Sequence, residues 1–356
     1  MRAVPTKFIK GSPILGETLY NARGQILVKS GATLTDILVE KINSNRIFTV
    51  YLKDEHSNKD INRVIEQTLR LQGINLIKDL FAKAINNEAS LLTIHNQLSE
   101  YAEDVLYETS SVKEKQIEYI DIKNVDDYLY SSSLNTAILS MLIAWELKIS
   151  RDMVKQIFLG GIYHDIGLAF LPNEITNKSK ELTMDEKRMI LMHPLEGYKF
   201  LKDKTYINAY IKAITLQHHE HLDGSGYPHR VDSSKINRYA YIIGIAYIYD
   251  AMTSDRPYRK AGSPKEAIEY IIGTSGTHFP KDIASTFLDK IDPYPRGSLV
   301  KLNDGRIAVV DQVPKGFSLR PSIRIISKIN EKFVYTPINL LEHNSIIIES
   351  EVYNFE

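Results

Sequence analysis

His218-His219-Glu220-His221-Leu222-Asp223-Gly224-Ser225-Gly226-Tyr227-Pro228 places metal-ligand side chains directly behind an apolar helical run (Ile211, Ile214, Leu216) and leads them into a Gly-Tyr-Pro turn. Two neighbouring imidazoles at the end of an apolar helix are costly to bury without partners, and a metal ion supplies partners. Upstream, His164-Asp165 closes the apolar stretch Ile157-Phe158-Leu159-Gly160-Gly161-Ile162 and precedes Gly167, which reads as a helix delivering two ligands near its C-terminal end. Adjacent helical residues differ by about 100° around the axis, so both can serve one ion only if it lies between their directions. His193 stands before Pro194. Asp250 ends another apolar helix, Tyr239 to Tyr249, where a buried carboxylate needs a cation or hydrogen-bond donors. Singly, the His164-Asp165 pair, His193 and Asp250 each read equally as capped or buried structural residues. Together they point to metal-assisted hydrolysis, because imidazole and carboxylate suit Fe, Mn or Zn and a close pair of such ions can clamp both oxygens of a phosphoryl displacement.

Composition narrows the alternatives. The 356 residues are 43% hydrophobic and 25% charged, an ordinary globular balance with room for two or three compact units. Formal net charge is zero, so no bulk basic field recruits nucleic acid or anionic lipid, and no basic stretch interleaved with aromatics argues for DNA or RNA. The longest apolar stretch, Tyr239 to Tyr249, is far short of the roughly 20 residues that span a bilayer, and no leader-like run follows Met1. A soluble, cytoplasmic protein with no membrane partner is the expectation. Cysteine is absent, which excludes disulfides, thiolate catalysis and Cys-type zinc sites. Any metal must sit on His, Asp and Glu.

The pattern of elements predicts four regions. In 1-58, β-type runs (Glu17 to Tyr20, Gln25 to Val28, Ile47 to Leu52) are broken by the turn Asn21-Ala22-Arg23-Gly24, and Thr35 caps a helix with Ile37, Leu38, Val39 and Ile42 on its apolar side. This is a small α+β N-terminal module. Residues 59-115 read as connecting helices, with apolar residues such as Ile65, Leu69, Leu76, Ile77 and Leu80 at helical spacings. Residues 116-290 form a mainly α central domain, its helical spacing carried by Leu134, Ala137, Ile138, Met141, Leu142 and Trp145. Residues 291-356 are a small β appendage with strands at Leu299 to Leu302, Ile307 to Val310, Ile323 to Ile326 and Phe333 to Tyr335 and an Asn303-Asp304-Gly305 turn.

In order and spacing these blocks resemble the HD-GYP family of cyclic di-GMP phosphodiesterases. His164-Asp165-Ile166-Gly167 corresponds to the HD signature, His193-Pro194 with Gly197 to the next block, His218 to Pro228 to the long GYP signature, and Asp250-Ala251-Met252-Thr253-Ser254-Asp255-Arg256-Pro257-Tyr258-Arg259 to the last. The resemblance covers roughly residues 116 to 290. It implies an HD-type helical domain holding two or three iron or manganese ions, of which one or two divalent ions are expected in this chain, and cleavage of cyclic di-GMP to linear pGpG or onward to GMP in bacterial second-messenger signalling. Asp165 would bridge metals and the attacking hydroxide; His164 and Asp250 would complete one site, and His193, His218 and His219 the other. Arg259 would clamp phosphate, with a structural ion pair as the equal alternative. Gly226, Tyr227 and Pro228 would border the pocket, glycine allowing positive φ and close approach of backbone to ligand. Tyr227 either stacks on guanine or faces the core. A signalling protein partner and self-association stay open.

Three positions depart from the family. The early ligand histidine is Ser132, the glutamate four residues before it is Tyr128, and the lysine after the HD block is Leu168. Loss of even a group behind a metal ligand costs about 10 to 100-fold, and loss of one preorganised donor to a developing oxyanion roughly 10² to 10³. If the losses were independent, activity would drop on the order of 10³ to 10⁵. An impaired phosphodiesterase and a degenerate receptor for cyclic di-GMP or for a protein partner are therefore the two competing functions. A zinc peptidase is disfavoured, because His219-Glu220-His221 lacks the two-residue gap that puts both histidines on one helical face.

Overall fold

The computed structural model describes the chain apart from residues 22–24, 46, 48, 58–63, 87–89, 111–127, 177, 179–180, 255–261, 315, 331 and 355–356. The described residues fall into two compact units, one drawn from Met1–Arg63 and Leu288–Glu356, the other from Val64–Lys115 and Tyr128–Phe287.

The first unit unites the two ends of the chain. Strands β1 (Arg2–Pro5), β2 (Ile14–Leu15), β3 (Leu19–Tyr20) and β4 (Ile26–Val28) precede helix α1 (Asp36–Ser44) and strand β5 (Thr49–Lys53). They make an antiparallel sheet β1-β5-β2 and a separate β3-β4 pair. Thr35 caps α1 by accepting from Leu38 N, and Leu38, Val39 and Ile42 face the core, but Ile37 is 77% exposed. Ile37 lies about 100 to 200° around the helix from those three, outside the stripe a nine-residue helix can bury. From the other end of the sequence come β6 (Leu299–Leu302), β7 (Ile307–Gln312), β8 (Ser322–Ile329), β9 (Lys332–Asn339) and β10 (Ile348–Val352), an antiparallel sheet ordered β10-β6-β7-β8-β9. Alternating residues Val300, Leu302, Ala308, Val310, Ile323 and Ile325 form its core. Arg2 donates to Asp54 at 2.7 Å and to Tyr353 O at 3.0 Å, and Phe8 stacks on Tyr353, so the N-terminal module and the C-terminal sheet belong to the same unit.

The second unit is helical. Its helices are α2 (Gln67–Asn86), α3 (Leu91–Thr109), α4 (Tyr128–Glu146), α5 (Arg151–Tyr163), the short α6 (Asn173–Thr176), α7 (Met184–Leu191), α8 (His193–Leu201), α9 (Ala209–Gln217), α10 (Arg238–Thr253), α11 (Pro264–Thr274) and α12 (Lys281–Lys290), whose last turn crosses the unit boundary. Helices α2 and α3, expected as connectors, pack inside this unit through Ile77, Leu80, Leu98 and Tyr101. Helix α4 is the central rod. It is buried on nearly every side, including the hydroxyls of Ser131, Ser132, Ser133, Thr136 and Ser140, because α5, α10 and α2 surround it. None of the described helices is long and apolar enough to cross a membrane.

Candidate metal centre

Close backbone contacts set the geometry of the site. A 3-10 turn, Ile166–Phe170, follows α5, and a side chain at Gly167 would strike the backbone carbonyl of His193 and the amide of Gly197. Glycine there lets the turn lie directly on the first turn of α8, which brings His193 to Asp165. Gly244 of α10 plays the same part at the end of α9, where an added Cβ would sit 2.7 Å from His218 O.

These contacts bring four ligand groups together. Asp165, His193, His218 and His219 each offer one atom, and the four atoms lie within 4.8 Å of one another. Asp165, His193 and His218 are buried. His193 Nε2 is 3.0 Å and His218 Nε2 3.6 Å from Asp165 Oδ1, and the two imidazole nitrogens are 3.2 Å apart. His164 Nε2 lies 3.3 Å from the other oxygen, Oδ2.

The opposite ring nitrogens reveal the protonation pattern. Nδ1 of His164 donates to Gly161 O at 2.7 Å, Nδ1 of His193 to Ile190 O at 2.8 Å, and Nδ1 of His218 to Thr215 O at 3.0 Å. A carbonyl only accepts, so each Nδ1 carries a proton and Nε2 is the atom turned inward. Burial drives His218 down to about 4, against the pull of Asp165, and drives His219 well below the ordinary histidine range, so both rings are neutral at pH 7. Asp165 stays ionised: burial pushes its pKa up, but the imidazoles of His164, His193 and His218 together hold it well below the carboxylate range. With each Nε2 deprotonated, as metal ligation requires, the inward atoms are all acceptors. His164 Nε2, Asp165 Oδ1 and His219 Nε2 are buried without a hydrogen-bond partner. A cation among Asp165, His193, His218 and His219 would give Asp165 Oδ1 and His219 Nε2 a partner, and carbonyl-anchored imidazoles are the usual support of metal ligands. The cluster therefore fits a divalent metal ion.

The Gly-Tyr-Pro loop closes over this cluster. Tyr227 stacks on His219, with centroids 4.4 Å apart and planes at 17°, and its N–H donates to His219 O at 3.0 Å. One face of Tyr227 is thus engaged by His219. Gly224 adopts φ +74° as the turn requires, whereas Gly226 is glycine for a different reason from the one expected. Its missing side chain would collide with the backbone of His219, Glu220 and His221, so the close approach is to the chain itself. Pro228 follows, half-buried. Glu220 is buried and accepts from the N–H groups of His229 (2.7 Å) and Arg230 (3.1 Å), fastening the far end of the loop.

Asp250 occupies different surroundings. Its Oδ2 accepts from Ser132 Oγ at 2.6 Å and its Oδ1 from Asn135 Nδ2 at 2.8 Å, while the guanidinium of Arg70 donates to Asn135 Oδ1. Tyr128 donates to Thr176 O at 3.0 Å. Leu168 sits half-buried in the 3-10 turn, its N–H donating to Asp165 O. Arg259 and Arg256 lie outside the described residues. Sequence reasoning missed Arg70, the loop-anchoring role of Glu220, and Tyr247, whose ring packs edge-on against His164 and His219 at 5.4 and 5.0 Å. Tyr247 lies one helical turn before Asp250, hidden in an apolar run.

Comparison with known proteins places these features in context. The family model of the HD domain matches residues 79–283, and that of a KOW domain associated with HD domain matches residues 299–354. A cyclic di-GMP phosphodiesterase of Pseudomonas aeruginosa is 32% identical over 213 residues, 60% of this chain and 51% of that protein. A cyclic di-GMP phosphodiesterase of Borreliella burgdorferi is 29% identical over 213 residues, 60% of this chain and 56% of its own length. The chain thus spans about half the length of the curated relatives it matches. The solved structure of an HDG"Y"P protein from Bdellovibrio bacteriovorus covers 81% of this chain and 98% of that one, with a TM-score of 0.49 and 14% identity.

Proposed function

From a chain that belongs to the HD domain family and carries the HD-GYP signature, we propose a metal-dependent phosphodiesterase that hydrolyses cyclic di-GMP in the bacterial cytoplasm as part of second-messenger signalling. The observation that carries the reading is the convergence of Nε2 of His193 and of His218 on the carboxylate of Asp165. A divalent ion on Asp165, His193, His218 and His219, Fe or Mn by resemblance to the HD-GYP family, would polarise a phosphoryl oxygen and acidify water.

The chain's own groups do the rest. Asp165 fixes the ion's position, and the backbone carbonyls of Gly161, Ile190 and Thr215 lock the ligand rings in orientation. Tyr227, held flat on His219, and the Gly226–Pro228 segment form a wall beside the reacting phosphate. Water adds to phosphorus, the bond from phosphorus to one 3′ oxygen breaks, and a proton passes to that oxygen, leaving the linear dinucleotide pGpG with a 5′ phosphate. Leu168 offers no charge to the phosphate, so turnover is slow. That side chain also supports the second reading, a receptor that binds the same ligand and releases it uncut.

The test is anaerobic purification with Mn²⁺ or Fe²⁺ followed by chromatography of products from cyclic di-GMP. Steady formation of pGpG, abolished by Asp165→Asn, is the expected result. Tight binding with no product in a metal-loaded sample would replace the enzyme with the receptor.

A further inference from the structure

We propose that Asp250 is not a metal ligand in this chain, and that the centre holds a single divalent ion, on Asp165, His193, His218 and His219. This inference rests on the reading that the cluster binds metal, and it settles how many ions. Three observations lead to it. Both oxygens of Asp250 are already acceptors of short hydrogen bonds, one from a hydroxyl at 2.6 Å and one from an amide at 2.8 Å, with Ser254 Oγ at 3.4 Å beside the second. A carboxylate behind a metal commonly leaves one oxygen for the ion and one for a donor. Here three donors of the protein take up three of its four lone-pair sites.

The second observation is charge. Arg70 is 5% exposed, and its guanidinium donates to the oxygen of the same Asn135 side chain whose nitrogen donates to Asp250. The amide relays a buried positive group on α2 to a buried negative one on α10, each hydrogen bond polarising the next. A buried carboxylate needs such compensation, from an ion or from a side chain. In this chain the guanidinium supplies it. The third observation is convergence: among the described residues, the cluster whose ligand atoms lie within 4.8 Å of one another contains neither Asp250 nor His164. His164 faces Asp165 Oδ2 alone at 3.3 Å, a two-group arrangement short of the three protein ligands of an ordinary site. Ser132 belongs to the network as donor. Its hydroxyl donates to Asp250 and so helps to hold the carboxylate in the network.

The experiment is metal analysis of the full chain after anaerobic loading with Mn²⁺ and exchange into metal-free buffer, with electron paramagnetic resonance on the same samples. Wild type and Asp250→Asn should both retain one Mn²⁺ per chain with the six-line spectrum of an isolated ion, and Asp165→Asn should retain less than one-tenth. Two ions per chain, a coupled-pair spectrum, or a fall in content in folded Asp250→Asn would overturn the proposal. If Asp250→Asn does not fold, Ser132→Ala, which deletes one hydroxyl, takes its place: one ion retained supports the proposal, and loss of the ion overturns it. Wild type with no ion would sink the underlying metal reading itself. One ion without cyclic di-GMP cleavage would sink only the catalytic reading and leave the single-ion assignment standing.

Discussion

Asp165 and Asp250 are both 4% exposed, both held by the same helical unit, and surrounded in opposite senses. Around Asp165 the nearest groups are the Nε2 atoms of imidazoles whose Nδ1 protons turn outward to backbone carbonyls. Around Asp250 the nearest groups are O–H and N–H donors, with a guanidinium behind them. Each carboxylate requires positive charge nearby. The first arrangement asks for it from outside the polypeptide, which makes a binding centre; the second has it built in, which makes a strut between α4 and α10.

The largest effect should come from removing the acceptor that depends on an external cation. Asp165→Asn is expected to lower metal content below one-tenth and cyclic di-GMP turnover by more than about 10³-fold, since it removes the ligand common to all the imidazoles. Turnover retained within tenfold would mean that the ion sits elsewhere. Next in size, Leu168→Lys should raise turnover by about 10 to 100-fold, because a cation in that turn would face the scissile phosphate. No gain would show that the 3-10 turn does not border the substrate. Neither change should alter the Asp250 network.

Acid should reveal the same contrast in stability. In chelated protein His218 has a folded pKa of about 4 against an ordinary 6.5. Between these values the unfolded chain binds the proton and the folded one does not, so stability is full above about pH 6.5 and falls as pH drops toward 4. One such histidine changes the unfolding free energy by about 1.4 kcal/mol per pH unit, roughly 3 kcal/mol across the window, and His219 is displaced in the same direction. Urea midpoints measured at several pH values on chelated protein test this; a flat or rising midpoint on acidification would contradict the neutral-ring arrangement.

The cluster of Asp165, His193, His218 and His219 was legible in the sequence because these residues are chemically unusual at helix ends, whatever they pack against. The C-terminal strands were equally plain, Leu299 to Leu302 appearing where alternation put it. What stayed hidden depends on partners remote in sequence. Ser132 meets Asp250 from 118 positions away, Asn135 from 115, and Arg70 meets Asn135 from 65, and nothing local marks a helical arginine as the counterpart of a carboxylate. Ser132 shows the consequence. As a replacement for a ligand it reads as a gap, while in the folded chain it is one donor of a closed network. Gly226 likewise was recognised as special, but its packing against the backbone of His219 to His221 was not legible. The union of both chain ends in one unit was also invisible, because Arg2, Asp54 and Tyr353 carry no common pattern.

The smallest effects distinguish the two regions most cleanly. Tyr227→Leu removes the ring stacked on His219 and should weaken Mn²⁺ binding by about tenfold while leaving urea stability within about 1 kcal/mol, as loss of support behind a ligand does. Ser132→Ala should do the reverse. It deletes a buried hydroxyl donor to a charged acceptor, a loss of about 1.5 to 3 kcal/mol in unfolding free energy. Mn²⁺ affinity should stay within twofold, because the ion and Asp250 share no ligand. A calorimetric titration beside a urea melt on each variant gives both numbers. If Ser132→Ala weakened Mn²⁺ tenfold without costing stability, Asp250 would belong with Asp165, and the strut would be part of the centre after all.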